Sequence, residues 1–201
     1  IGFSAGDTNV YRYVGNAPGD GRDPWGKKGV SITIDLQDKP AELRNYIFLP
    51  WNTIWSGSNA SLGDIQKTIE SQLKPGDFIT QIIFAGHNLR GGNVYISSSD
   101  TIEPTTLTDA DGNILNEKTV LLLQGPAQKE KVKFLLWLKD RMEKNGKIIF
   151  AQCNSGIGNE GSALEKNLTS FFGNEVKIVL FKGNVIFDFW GNPIQINGIK
   201  K

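Results

Sequence analysis

The chain holds one cysteine and one histidine, and each stands directly after an apolar run. His87 closes the string IIFAGH and Cys153 closes the near-identical string IIFAQC. A thiol attacks well at neutral pH only when a neighbouring base takes its proton, and an imidazole is the usual partner. Matching placement after matching strings makes Cys153 a candidate nucleophile and His87 its general base. Glycines flank both, Gly86, Gly91 and Gly92 near the histidine and Gly156 and Gly158 near the cysteine, where they permit tight turns and close approach of a substrate backbone. Backbone N–H groups around Gly86 to Asn88 and at Cys153 are the candidate oxyanion donors. Arg90, in the glycine-rich stretch after the histidine, is a candidate contact for an acidic substrate side chain. The residues alone leave a blander reading open, in which Cys153 is a small buried hydrophobe and His87 a structural hydrogen-bonder.

The elements that would position this pair read as α/β. Val30, Ile32 and Ile34 alternate with polar residues, the period of a half-buried strand. Ser61 followed by Asp64 is a helix-start signature, and Leu62, Ile65, Ile69 and Leu73 then share one helical face up to the Lys74-Pro75-Gly76 stop. FITQIIFA, residues 78–85, predicts a buried central strand. Residues 92–123 are mixed, with strand-like pieces at 94–96 and 119–123 and a turn at Asp111-Gly112-Asn113. Gly125-Pro126 opens a helix that buries Val132, Leu135, Leu136, Leu138 and Met142 and stops at Asn145-Gly146. The strand KIIFAQ, 147–152, follows. A helix from about Ser162 to Phe172, a strand from Val176 to Phe181 and a hairpin through 190–193 complete the pattern. Helices alternating with strands predict a largely parallel sheet flanked by helices, and ligands gather beyond the carboxyl ends of such strands. If the strands before His87 and Cys153 are parallel and adjacent, one sheet edge carries both. The charged stretches 129–133 and 139–144 read as a wet helix face, with Lys139 and Glu143 spaced for pairing. Trp51 and Trp55 read as core or groove lining.

Composition removes other chemistries. One cysteine allows no internal disulfide, and one histidine and one cysteine exclude zinc ribbons, HExxH peptidases and zinc deaminases. No metal or other cofactor is expected. With 22 Lys and Arg against 21 Asp and Glu, the net charge of +1 offers no broad basic field for nucleic acid. No apolar run approaches 18 residues, so no membrane span is expected. The opening residues IGFSAGDTNVYRYVGN lack a basic n-region and an apolar core, so they do not read as a signal peptide.

Residues 1–29 differ from the rest in being dense in turn signals, and their wording is specific. YRYVGNAP followed by DPWG, with IGF and GDTN upstream, resembles the end of the core of Rhs-repeat (YD-repeat) proteins. In that family a β-cage encloses a variable C-terminal toxin, and the core cuts itself at the DPxG junction by an aspartyl-protease-like mechanism. Asp23 matches one of the two junction aspartates, Lys27 stands where leucine is common, and a partner for Asp23 would precede Ile1. Self-cleavage is therefore not expected of residues 1–201 alone. The resemblance implies two parts, a core and junction remnant at 1–29 and an effector domain at 30–201. It also implies delivery by a bacterial secretion system, action in the target-cell cytoplasm and a cognate immunity protein.

The order His87 then Cys153, each ending an apolar strand, with Cys153-Asn154-Ser155-Gly156 and a helix after it, resembles the caspase–gingipain–separase group of cysteine peptidases over about residues 62–181. The resemblance implies a caspase-like α/β fold and endopeptidase activity on a target-cell protein. Asn88 stands where the group has a glycine. Papain-like enzymes place the cysteine before the histidine, the reverse order. Rhs toxins also include NAD-consuming enzymes and ADP-ribosyltransferases, which need an acid such as Glu160 or Glu165. A third reading is a caspase-like binding module with an inert thiol.

Overall fold

The computed structural model describes residues 29–36, 53–55, 60–86, 91–123, 125–187 and 193–196. Its centre is a five-stranded sheet in the order β2-β1-β3-β6-β7, built from β1 (Gly29–Asp35), β2 (Thr53–Trp55), β3 (Phe78–Gly86), β6 (Met142–Gln152) and β7 (Lys177–Leu180). Every pairing in it is parallel. The expected α/β class with a parallel sheet is thus what the chain forms, and FITQIIFA lies in the middle strand. Two small antiparallel pairs sit apart from this sheet: β4 (Val94–Tyr95) with β5 (Thr101–Ile102), and β8 (Asn184–Phe187) with β9 (Pro193–Ile196).

Parallel neighbours need a crossover, and among the described residues three are helical: α1 (Leu62–Gln72) before β3, α3 (Pro126–Arg141) before β6 and α4 (Gly158–Phe172) before β7. All three cross the sheet in the same direction, from β2 past β1 to β3, then to β6, then to β7. Right-handed crossovers made in one direction land on one face. Accordingly Ile65 and Ile69 of α1, Val132, Leu135 and Leu138 of α3, and Leu164, Leu168 and Phe171 of α4 join Ile32, Ile34, Ile82, Phe84, Ile148 and Phe150 in one core. Phe84 and Phe150, paired across β3 and β6, stack at 5.4 Å between ring centres. The alternate residues Ile83, Ala85, Ile149 and Ala151 face the other way and pack with Phe181, Val185 and Phe187.

Local chemistry explains where the elements begin and end. Ser61 and Asp64 form a reciprocal capping box at the start of α1, and Gly76, at φ 89°, makes the turn that follows. Gly173, at φ 87°, ends α4, and Gly112, at φ 82°, makes the expected turn at 111–113.

Five expectations are corrected. Residues 119–123 are not strand-like: Asn116 caps a single helical turn, α2 (Glu117–Val120), through its side-chain oxygen, and Leu121 and Leu122 follow it exposed. The helix α3 stops at Arg141, not at Asn145-Gly146. Its neighbour β6 pairs with β3 already at Met142, then skips to Lys147, so Asn145 at φ 70° makes an excursion within the strand. Phe134 replaces Met142 on the buried face of α3, while Leu136 is only partly buried. Lys139 does not pair with Glu143: it donates to the Phe171 carbonyl at 2.6 Å and lies over the Phe171 ring, while Lys144 pairs with Glu175. Finally, β1 is not half-buried but buried on both faces toward its end, Thr33 and Asp35 included. Residues 1–28 of the expected core and junction remnant, Asp23 included, and the side chains of Trp51 and Trp55 lie outside the described residues.

Candidate functional site

Gly86, the last residue of β3, pairs with Gln152, the last residue of β6. The strands preceding His87 and Cys153 are therefore adjacent, parallel and in register to their final residues. His87, Asn88 and Arg90 themselves lie outside the described residues.

Cys153 is partly exposed and opens a turn over residues 153–156 that is fixed almost entirely by backbone groups. Asn154 takes φ 62°, and its N–H donates to the Gly183 carbonyl at 3.0 Å. The Ser155 hydroxyl, fully buried, accepts from the Phe181 N–H at 3.0 Å, and the Gly156 N–H donates to the Phe181 carbonyl at 2.9 Å. The N–H of Val185, on β8, donates to the Cys153 sulfur at 3.4 Å. The thiol thus lies on the sheet face shared with Ala85, Ala151 and the β8 residues, beside a backbone donor.

The segment after the histidine is tied to the same turn. The Gly92 N–H donates to the Ser155 carbonyl at 3.3 Å, and a Cβ on Gly91 would come within 3.0 Å of the Ile157 carbonyl oxygen. Gly92, at φ 80°, lies against Glu160, so only glycine suits it. Gln152, with no exposed surface, spans to Tyr95: its amide oxygen accepts from the Tyr95 N–H and its amide nitrogen donates to the Tyr95 carbonyl, each at 2.8 Å. Sequence reasoning gave Gln152 no role, although a lone amide between an apolar strand and the only cysteine was the available sign. It also did not single out Asp35, a buried carboxylate at the end of β1.

Beside the turn a groove of about 640 Å³ is lined by Gly91, Gly92, Glu103, Thr105, Asn159 and Glu160, among others. Among the described residues two carboxylates and no cation line it. Glu160, the acid named for NAD chemistry, is at this groove, whereas Glu165 lies exposed further along α4. Among the described residues no helix is long and apolar enough to cross a membrane. No known protein family, curated protein or solved structure matches the chain.

Proposed function

We propose that residues 30–201 are a caspase-like cysteine endopeptidase, the effector domain of an Rhs-type toxin, acting on a protein of a target cell. One observation carries this reading: the pairing of Gly86 with Gln152, which brings the ends of the strands that lead into His87 and Cys153 side by side. The strand order supports it, because the direction of the crossovers reverses between β1 and β3, and ligands gather outside the carboxyl ends of strands at such a point.

In this reading His87 takes the Cys153 proton as the sulfur bonds to the scissile carbonyl carbon. Backbone N–H groups among Gly86 to Asn88 and at Cys153 hold the oxyanion. The imidazolium returns the proton to the leaving amine as the C–N bond breaks, and water, activated by the same imidazole, releases the acyl group. A cognate immunity protein is the proposed partner. The test is labelling of Cys153 by peptides with thiol-reactive warheads, together with toxicity in target cells. Labelling that His87→Ala abolishes supports the reading. NAD consumption that persists in Cys153→Ala replaces it with a transferase that uses Glu160, and neither activity leaves the inert binding module.

A further inference from the structure

The stretch that carries His87 is entered from Gly86 and left at Gly91, and both ends are attached to residues around Cys153. Gly86 pairs in register with Gln152. Gly91 comes so close to the Ile157 carbonyl that a Cβ would stand 3.0 Å from its oxygen, and the Gly92 N–H donates to the Ser155 carbonyl at 3.3 Å. Gln152 then acts a second time, through its side chain. Its amide accepts from the Tyr95 N–H and donates to the Tyr95 carbonyl, each at 2.8 Å. Of these attachments it is the one made by a side chain, the others being made by main-chain groups. A side-chain amide offers the same donor and acceptor as a peptide group, so Gln152 presents to β4 what a further strand would.

Gln152 has no exposed surface, and burying an amide is costly unless it is bonded. Successive side chains of a strand point to opposite faces. Phe150 lies in the core on the helix side, whereas Ala151 packs on the other face, where the Val185 N–H reaches the Cys153 sulfur. Gln152 therefore points with Phe150, away from the thiol and from a substrate bound to it. We infer that Gln152 is a positioning residue of the proposed peptidase: by holding Tyr95 to the strand that ends at Cys153, it fixes the segment leaving His87 and so sets the imidazole against the thiol. The inference rests on the peptidase reading and adds to it a residue that acts through the histidine. A catalytic base displaced by about 1 Å loses on the order of 100-fold in rate. The loss matters least where the thiol ionises unaided, above its ordinary pKa near 8.5. A misplaced base thus shows as a deficit that closes as pH rises, whereas a general loosening of the fold slows labelling alike at every pH.

The experiment uses the full chain and acyloxymethyl ketone peptides with Lys, Arg, Asp or Leu before the warhead, the fastest of the four being taken. Labelling of Cys153 is read by intact mass over a range of probe concentrations at pH 7 and pH 9.5, which separates the maximal rate from the half-saturating concentration. Gln152→Met keeps the length of the stem and removes both bonds to Tyr95. It is expected to lower the maximal rate by about 10–100-fold at pH 7 and by less than about threefold at pH 9.5, with little change in the half-saturating concentration. His87→Ala should show the same trend with a larger loss at pH 7. A folded Gln152→Met that keeps the full rate at pH 7, or whose deficit is equal at the two pH values, overturns the inference and leaves the peptidase reading intact. Should Gln152→Met fail to fold by circular dichroism, Gly91→Ala decides, since its Cβ presses on the Ile157 carbonyl and displaces the same segment. A deficit at pH 7 that closes by pH 9.5 then upholds the inference, and an unchanged rate at pH 7 overturns it. Labelling by none of the four probes, or labelling at pH 7 that His87→Ala leaves unchanged, sinks the peptidase reading, and this inference with it.

Discussion

Gln152 makes both of its side-chain amide bonds to one residue, the backbone of Tyr95, and so extends β6 by a strand-like rung after its own neighbours have turned away. This rung ties the chain segment that follows His87 to the residue that precedes Cys153. Gln152→Ala would leave the part-buried N–H and carbonyl of Tyr95 without these partners. Each such loss costs about 1–3 kcal/mol, so a total of about 2–6 kcal/mol is expected in urea unfolding. Gln152→Glu, whose protonated carboxyl keeps an acceptor and offers an O–H in place of the amide N–H, should fall between Gln152→Ala and the unaltered chain at low pH. Destabilisation under about 0.5 kcal/mol for Gln152→Ala would show that the rung is not formed.

The nucleophile and base are expected to fail together. Cys153→Ala and His87→Ala should each lower turnover by a factor on the order of 10⁴–10⁶, and the double variant should be scarcely worse than the worse single. Cys153 is partly exposed, and its turn is held by backbone groups and Ser155, so Cys153→Ala should melt close to the unaltered chain. A folded Cys153→Ala that still kills target cells refutes the peptidase reading.

Gly161, in the first turns of α4, lies directly on the backbone of Gly156, and a Cβ there would fall 2.7 Å from the Gly156 carbonyl oxygen. Backbone cannot yield as a flexible side chain can. Gly161→Ala is therefore expected to destabilise by about 1–3 kcal/mol by overpacking, despite alanine's better helix propensity. It should also slow labelling of Cys153, since Gly156 ends the cysteine's turn. Gly63→Ala, which meets only the Ser61 hydroxyl at 3.7 Å, serves as the control and should be neutral or stabilising. Equal effects from the two would argue against the close approach.

The cap of α1 gives a pH signature. The Ser61 hydroxyl and backbone N–H, bonded to the Asp64 carboxylate, hold its pKa below the ordinary carboxylate value. A depressed folded-state value means the stabilisation is fully present above the unfolded pKa, near 3.9, and is lost as pH falls through the folded value. Ser61→Ala should cost about 1 kcal/mol at neutral pH as a lost cap. The gap between the two proteins should narrow in acid. A gap that stays constant from pH 6 to pH 2 would show that the carboxylate bond plays no part.

Much of this was legible in the residues. Alternating and continuous apolar runs fixed β1, β3 and β6, because burial on one or both faces demands those patterns. Ser61 and Asp64, Gly76, Gly112 and Gly173 marked boundaries, because caps and positive φ angles have few chemical solutions. The similarity of IIFAGH and IIFAQC pointed to paired strands. Other features could be decided only by tertiary structure. Residues 119–123 carry β-prone apolar side chains, yet the Asn116 cap and the neighbouring α3 make 117–120 a helical turn, since local propensity is weaker than packing. Nothing in the order of the chain says that β3 lies between β1 and β6, and with it whether Asp35, Ala85 and Ala151 share a rung. That follows from the handedness and direction of the crossovers. Only once the sheet is assembled does Asp35, an acid at the end of an apolar strand, become a carboxylate buried beside the edge that leads to Cys153.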